Sequence, residues 1–180
     1  MAIEAQFISE SAFEYLLREI LQYEAPGNLS KEAKDSRQTP AQRLEVMGQE
    51  VGYRIVERIS EKQRFLGFED LDYVKFICRE FWEAIFGKKI DKLQTNHKGV
   101  FVLFDTEFKW IEKYTAGTAA EDMDAATRDA VSKLLHFPCG IMRGALANLG
   151  MSALVTAEFS ALPSVTFNVR RKTQDLRVFS

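Results

Sequence analysis

Thr39-Pro40-Ala41-Gln42-Arg43-Leu44-Glu45-Val46-Met47-Gly48-Gln49-Glu50-Val51-Gly52-Tyr53-Arg54-Ile55-Val56-Glu57-Arg58-Ile59 is the stretch on which the fold turns. It opens as a helix should. Thr39 can accept from free backbone N–H groups, Pro40 sits where its missing donor costs nothing, and Gln42 can reach back to close a capping box. Leu44, Met47, Gly48, Val51, Gly52, Ile55 and Ile59 then recur at helical spacing, which predicts a helix from about Pro40 to Ile59 with one apolar stripe. Two of those positions are glycine. Each costs about 1 kcal/mol of helix propensity relative to Ala, so something must offset the loss. Gly48 and Gly52 are stacked on one face, and a second helix whose backbone approaches closely there is the simplest offset. In a membrane the pattern would be a dimerisation motif, but Glu45, Gln49, Glu50 and Arg54 exclude a span. The approaching helix belongs either to a partner, the reading preferred here, or to this chain's own first or third helix.

Outward from this stretch, Ser9 to Tyr23 carries Phe13, Leu16, Leu17, Ile20 and Leu21 at the spacing of an amphipathic helix that Pro26-Gly27 stops. Residues 28–39 lack a period and read as a loop. A third helix is expected from about Asp70 to Phe86, with Gly87 just past its end. Gln94 to Gly99 reads as a turn into the strand Val100 to Phe104, which is apolar throughout and so expected to be covered on both faces. Phe108 to Ile111 is its expected hairpin partner. Asp124 to His136 reads as helix, and Pro138 breaks or restarts it. The next segment, to Leu149, carries a second small-residue surface at Gly140, Gly144 and Ala147. Ser152 to Phe159 and Val165 to Arg171 close the chain as strands, with Leu162-Pro163-Ser164 between them. Strands segregated from helices predict an α+β fold: an antiparallel sheet of about four strands with helices packed on one face. A length of 180 residues favours one domain over 1–180.

Composition narrows the function classes. The 14 Phe call for an aromatic core or a large covered apolar surface. A net charge of −2 gives no reason to expect nucleic acid, and Arg170-Arg171-Lys172 reads as a solvated strand end. No apolar run approaches a membrane span. Met1-Ala2-Ile3-Glu4 does not begin a signal peptide, so the expected compartment is the cytosol with Cys78 and Cys139 reduced. Neither cysteine has a second Cys or His at zinc-ligand spacing. Cys139, at the expected helix restart, would be nucleophilic only with a base such as His136; small buried residues are the favoured reading for both thiols. His97 and His136 have no partner at ligand spacing. Glu10, Glu14, Glu19, Asp70 and Asp72 fall on solvent-facing helix positions. Phosphate-binding glycine motifs and a nucleophile elbow are absent. No cofactor, metal or catalytic group is expected, and the remaining small-molecule option is a hollow, Phe-lined core that takes an acyl chain.

Several longer motifs in order resemble one family. Thr39-Pro-Ala-Gln-Arg-Leu-Glu-Val-Met-Gly, Lys75-Phe-Ile-Cys-Arg-Glu-Phe-Trp and Asp91-Lys-Leu-Gln-Thr-Asn-His-Lys-Gly-Val-Phe-Val-Leu are the first three. Phe137-Pro-Cys-Gly-Ile-Met-Arg-Gly-Ala-Leu-Ala-Asn-Leu-Gly and Val155-Thr-Ala-Glu complete the set. Together they are similar to the subunit 6 family of the transport protein particle (TRAPP). The resemblance implies a small α+β domain that pairs through its first two helices with a lipid-binding paralogous subunit and assembles with other TRAPP subunits. It also implies an indirect role in activating a Rab GTPase, and peripheral association with the cis-Golgi and ER–Golgi vesicles without membrane insertion. Self-association is the expected alternative when the chain is alone. The implied partner interface is Phe13, Leu17, Leu21, Leu44, Met47, Gly48, Val51, Gly52 and Ile55. The paralogue's acylated cysteine lies in the loop after the second helix; here that loop, Glu61-Lys-Gln-Arg-Phe-Leu-Gly-Phe, contains none.

Overall fold

The structure is a computed structural model and describes residues 38–61, 67–96, 98–115 and 124–172, together with Tyr15 and Glu19. The chain forms two compact units, Met1–Pro40 and Ala41–Ser180, and the architecture below is that of the second. The expected first helix, with Phe13, Leu17 and Leu21, lies outside the described residues except for Tyr15 and Glu19, which are helical and exposed.

Helix α1 spans Pro40–Ser60, within a residue of expectation. Helix α2 covers the expected 70–86 segment in three pieces: α-helical Asp70–Phe76, a π-helical turn Ile77–Phe81, and α-helical Trp82–Phe86. Glu69 and Asp72 close a capping box at its start. Gly87 ends it with φ +72°, a conformation glycine adopts without strain. Strands β1 (Lys92–Thr95) and β2 (Val100–Asp105) follow, then a 3-10 segment Lys109–Thr115. Helix α3 (Ala125–Asn148) and strands β3 (Ala153–Glu158) and β4 (Val165–Arg171) complete the unit.

The sheet is wholly antiparallel in the order β1-β2-β4-β3. Helices pack against it, so the α+β class stands. Strand register puts Leu103 opposite Phe167, and Phe101 and Val155 opposite Val169. All of these are buried, which defines the inner face. Trp82 and Phe86 from α2 lie 4.2 Å apart by ring centroid, and Trp82 meets Phe167 edge-on at 5.1 Å. Phe108 meets the same Phe167 at 5.5 Å. Many of the Phe side chains therefore go into an aromatic core. At its edge the fully buried Asp105 carboxylate accepts from Trp82 Nε1 (2.8 Å), Lys88 Nζ (2.7 Å) and the Glu107 N–H (3.1 Å). Those donors satisfy a charge that would otherwise be costly to bury.

Four expectations are corrected. Residues 92–95 are a strand, pairing from Lys92 opposite Phe104 to Thr95 opposite Phe101. Phe108 to Ile111 is not a hairpin strand: the Phe108 N–H donates to the Pro163 carbonyl and Ile111 folds back onto Phe108, so both aromatic and aliphatic side chains turn inward three residues apart. Pro138 does not interrupt α3, which runs through it with Pro138 buried; tertiary packing outweighs one lost hydrogen bond. Strand β2 is covered on one face only, since Val100, Val102 and Phe104 remain half-exposed on the other.

Candidate protein-interaction site

The buried row of α1 is Leu44, Gly48, Gly52 and Val56, four residues apart at each step and therefore one ridge. It lies against α3, and glycine is required on both sides. A Cβ on Gly48 would overlap the Phe137 carbonyl oxygen and stand 3.1 Å from the Gly140 Cα. One on Gly52 would overlap the Ile141 carbonyl. Reciprocally, Cβ atoms on Gly140 and Gly144 would overlap the carbonyls of Glu45 and Gln49. The two small-residue surfaces in the sequence thus meet each other. Backbone touches backbone, and the dispersion gained at that distance offsets the helix-propensity cost.

This corrects the preferred reading of the glycines. Gly48 and Gly52 face the chain's own α3, which was neither the partner nor the first or third helix weighed from the sequence. The shared four-residue spacing of Gly48/Gly52 and Gly140/Gly144 was the signal that could have paired them. Two polar contacts fix the crossing. Arg143 forms an ion pair with Glu45, and Asn148 Nδ2 donates to the Tyr53 carbonyl at 3.1 Å.

Locking one face of α1 onto α3 sorts the other residues of the expected interface. Leu44 is 2% exposed and belongs to the core. Met47 and Val51 are exposed, each at 37%, and Ile55 is half-buried. These three form the adjacent ridge, on the outer flank of the helix. Val46 at 42% and Tyr53 at 49% add exposed apolar area on the same helix. Sequence reasoning named neither, nor Val56, because a stripe drawn from apolarity alone runs across both ridges.

The candidate nucleophile does not survive its surroundings. Cys139 sits inside α3, not at a helix start, and is 4% exposed. Burial, and then the Glu45 charge, push its thiol well above the usual range. Burial pushes the Cys78 thiol up to about 12, with the charge of Arg79 opposing. Thiolate chemistry at neutral pH is disfavoured at both. Among the described residues, no group of three or more His, Cys, Asp or Glu could hold a metal ion, and no helix is long and apolar enough to cross a membrane.

A family model for transport protein particle (TRAPP) components matches residues 6–174. The chain belongs to the TRAPP component family. Among its relatives, trafficking protein particle complex subunit 6b of Danio rerio is 37% identical over 161 residues, 89% of this chain and 95% of the relative. Subunit 6B of Homo sapiens is 41% identical over 128 residues, 71% of this chain and 75% of that one. Among solved structures, a TRAPP-complex subunit 3 from Naegleria fowleri, covalently bound to palmitic acid, superposes with a TM-score of 0.62. That match covers 91% of this chain and 97% of the other at 15% identity, which is a likeness of fold. The TRAPP relationship and the subunit 6 relatives agree with the motifs that carried the resemblance.

Proposed function

We propose that this TRAPP-family chain is a non-catalytic scaffold subunit that pairs with a lipid-binding paralogue through the outer flank of α1. The observation that carries this reading is the ridge of exposed Met47 and Val51 with half-buried Ile55, beside a crossing in which backbone meets backbone. Apolar side chains held on a rigid element suit a stable interface. Phe13, Leu17 and Leu21 are proposed as further partner-facing residues, while Leu44, Gly48 and Gly52 hold α1 against α3. The assembled particle would tether ER–Golgi vesicles and promote nucleotide exchange on a Rab GTPase, with this subunit cytoplasmic and peripheral to the Golgi membrane.

Co-expression with a subunit of the palmitate-bearing kind, followed by sizing, tests the pairing. A one-to-one complex is expected, and Met47→Glu with Val51→Glu should abolish it while the variant remains folded. A wild-type chain that stays monomeric at micromolar concentration with that subunit present would overturn the proposal.

A second reading, a carrier of a lipid or small ligand, draws on a groove of about 430 Å³ lined by Phe68, Leu71, Phe101 and Arg171 among others. Native and denaturing mass spectrometry separates the two. Bound or covalent acyl mass supports the carrier, and the bare chain mass in both states excludes it.

A further inference from the structure

The outer face of the sheet is built for an occupant. Its rungs follow from the register: Lys92, Phe104, Thr166 and Glu158; then Gln94, Val102, Asn168 and Thr156; then Val100, Arg170 and Leu154. Val100, Val102 and Phe104 form an apolar line along β2, half-exposed, and Leu154, two strands away on β3 across Arg170 of β4, is 42% exposed. Cations border that line. Lys92 reaches over the Phe104 ring at 5.8 Å to its centroid. At the other end stand Arg170, then Lys172, which continues the alternation and donates its backbone N–H to the Ser152 carbonyl, and Lys98 in the turn before β2. All four are exposed, and among the described residues none forms an ion pair; neighbouring Arg171 is held by Asp70. Glu158 is the one carboxylate on these rungs. The face therefore carries an excess of positive charge on a chain whose net charge is −2.

We propose that this face docks an amphipathic helix of another polypeptide, with an apolar ridge flanked by Asp and Glu. Three features select that occupant. A sheet face with an apolar centre is ordinarily covered by a second layer. The apolar line from Val100 to Phe104 is roughly 14 Å long, the length of a helix of about ten residues. The cations lie at both ends of that line, where carboxylates on the flanks of such a helix would meet them. An anionic bilayer calls for large apolar side chains that project from the surface, whereas on these rungs Val100, Val102 and Phe104 are half-buried and Leu154 alone among the apolar residues is exposed. The docking face is separate from the α1 flank, so it stands or falls independently of the pairing proposed above.

The test uses the full chain in its native assembly, with a benzophenone-bearing residue at Leu154 and the cross-linked peptide sequenced by mass spectrometry. The adduct is expected on a segment with apolar residues at three- and four-residue spacing and flanking Asp or Glu. Its yield should fall about tenfold when Arg170→Glu and Lys172→Glu are combined, through like-charge repulsion. Both positions are exposed and unpaired, so unfolding temperature should be unchanged; Lys92→Glu provides a second variant at the opposite margin. A lipid adduct, an adduct on a segment without the helical acid-flanked pattern, no adduct, or a yield indifferent to charge reversal would each overturn the proposal.

Discussion

At the scale of single residues, the four glycines of the α1–α3 crossing are the most tightly enclosed of the described glycines. Gly52→Ala and Gly140→Ala each force a methyl group into a carbonyl oxygen of the other helix, and each is expected to cost about 3 kcal/mol or more, the upper range for overpacking. Gly150→Ala is the control: its Cβ would meet nothing within 4 Å, but φ is +96°, so about 1 kcal/mol of backbone strain is expected. Urea unfolding of the three variants checks the ranking. The two thiols give a second residue-scale prediction. Cys78 and Cys139 should label slowly at neutral pH in the folded chain and rapidly after unfolding, and rapid native labelling of Cys139 would reopen the enzymatic reading. A third concerns acid. Burial raises the Asp91 pKa, but the Thr106 N–H, Lys88 and the Thr106 hydroxyl together hold it below the usual carboxylate value. A depressed folded pKa contributes stability above the unfolded value and loses it as pH falls through the folded one. The stability difference between wild type and Asp91→Asn should therefore narrow as pH drops below about 4.

At the scale of elements, α1 shows how much the sequence could say. Its start at Thr39-Pro40 was legible because caps are local chemistry, and so were the Gly87 stop of α2 and the alternation of β4. Strand β1 was not. Lys92-Leu93-Gln94-Thr95 presents polar side chains to solvent from an edge strand of four residues, too short for a period to emerge next to turn-forming residues. The 3-10 segment was missed for the opposite reason. Phe108-Lys109-Trp110-Ile111 has strand-like composition, yet Phe108 and Ile111 are both buried, and tertiary burial overrides β propensity. The two ridges of α1 were legible only as one stripe. Apolarity marked Met47, Val51 and Ile55 together with Leu44, Gly48 and Gly52, and only packing against α3 separates the two sets. Exchanging the ridge for charge, as Met47→Glu with Val51→Glu, is thus an element-scale experiment. Partner binding should be lost while the urea midpoint stays within the range of surface substitutions, about 0.5 kcal/mol in stability.

At the scale of the described unit, three surfaces stand out: an inner sheet face sealed by aromatic side chains, an outer sheet face with an apolar line between cations, and an α1 flank set by a backbone-tight crossing. The glycine crossing has a genetic consequence. In an ordinary core, an oversized residue can be relieved by a smaller neighbour, because side chains can be trimmed. Here the obstacle to a methyl group is a carbonyl oxygen, which every residue carries, so no substitution at the facing position makes room. Second-site suppressors of Gly48, Gly52, Gly140 or Gly144 variants should therefore not map to the facing residue whose carbonyl is struck. They should map to residues that let the whole of α1 shift outward, and such shifts would move Met47 and Val51 with it.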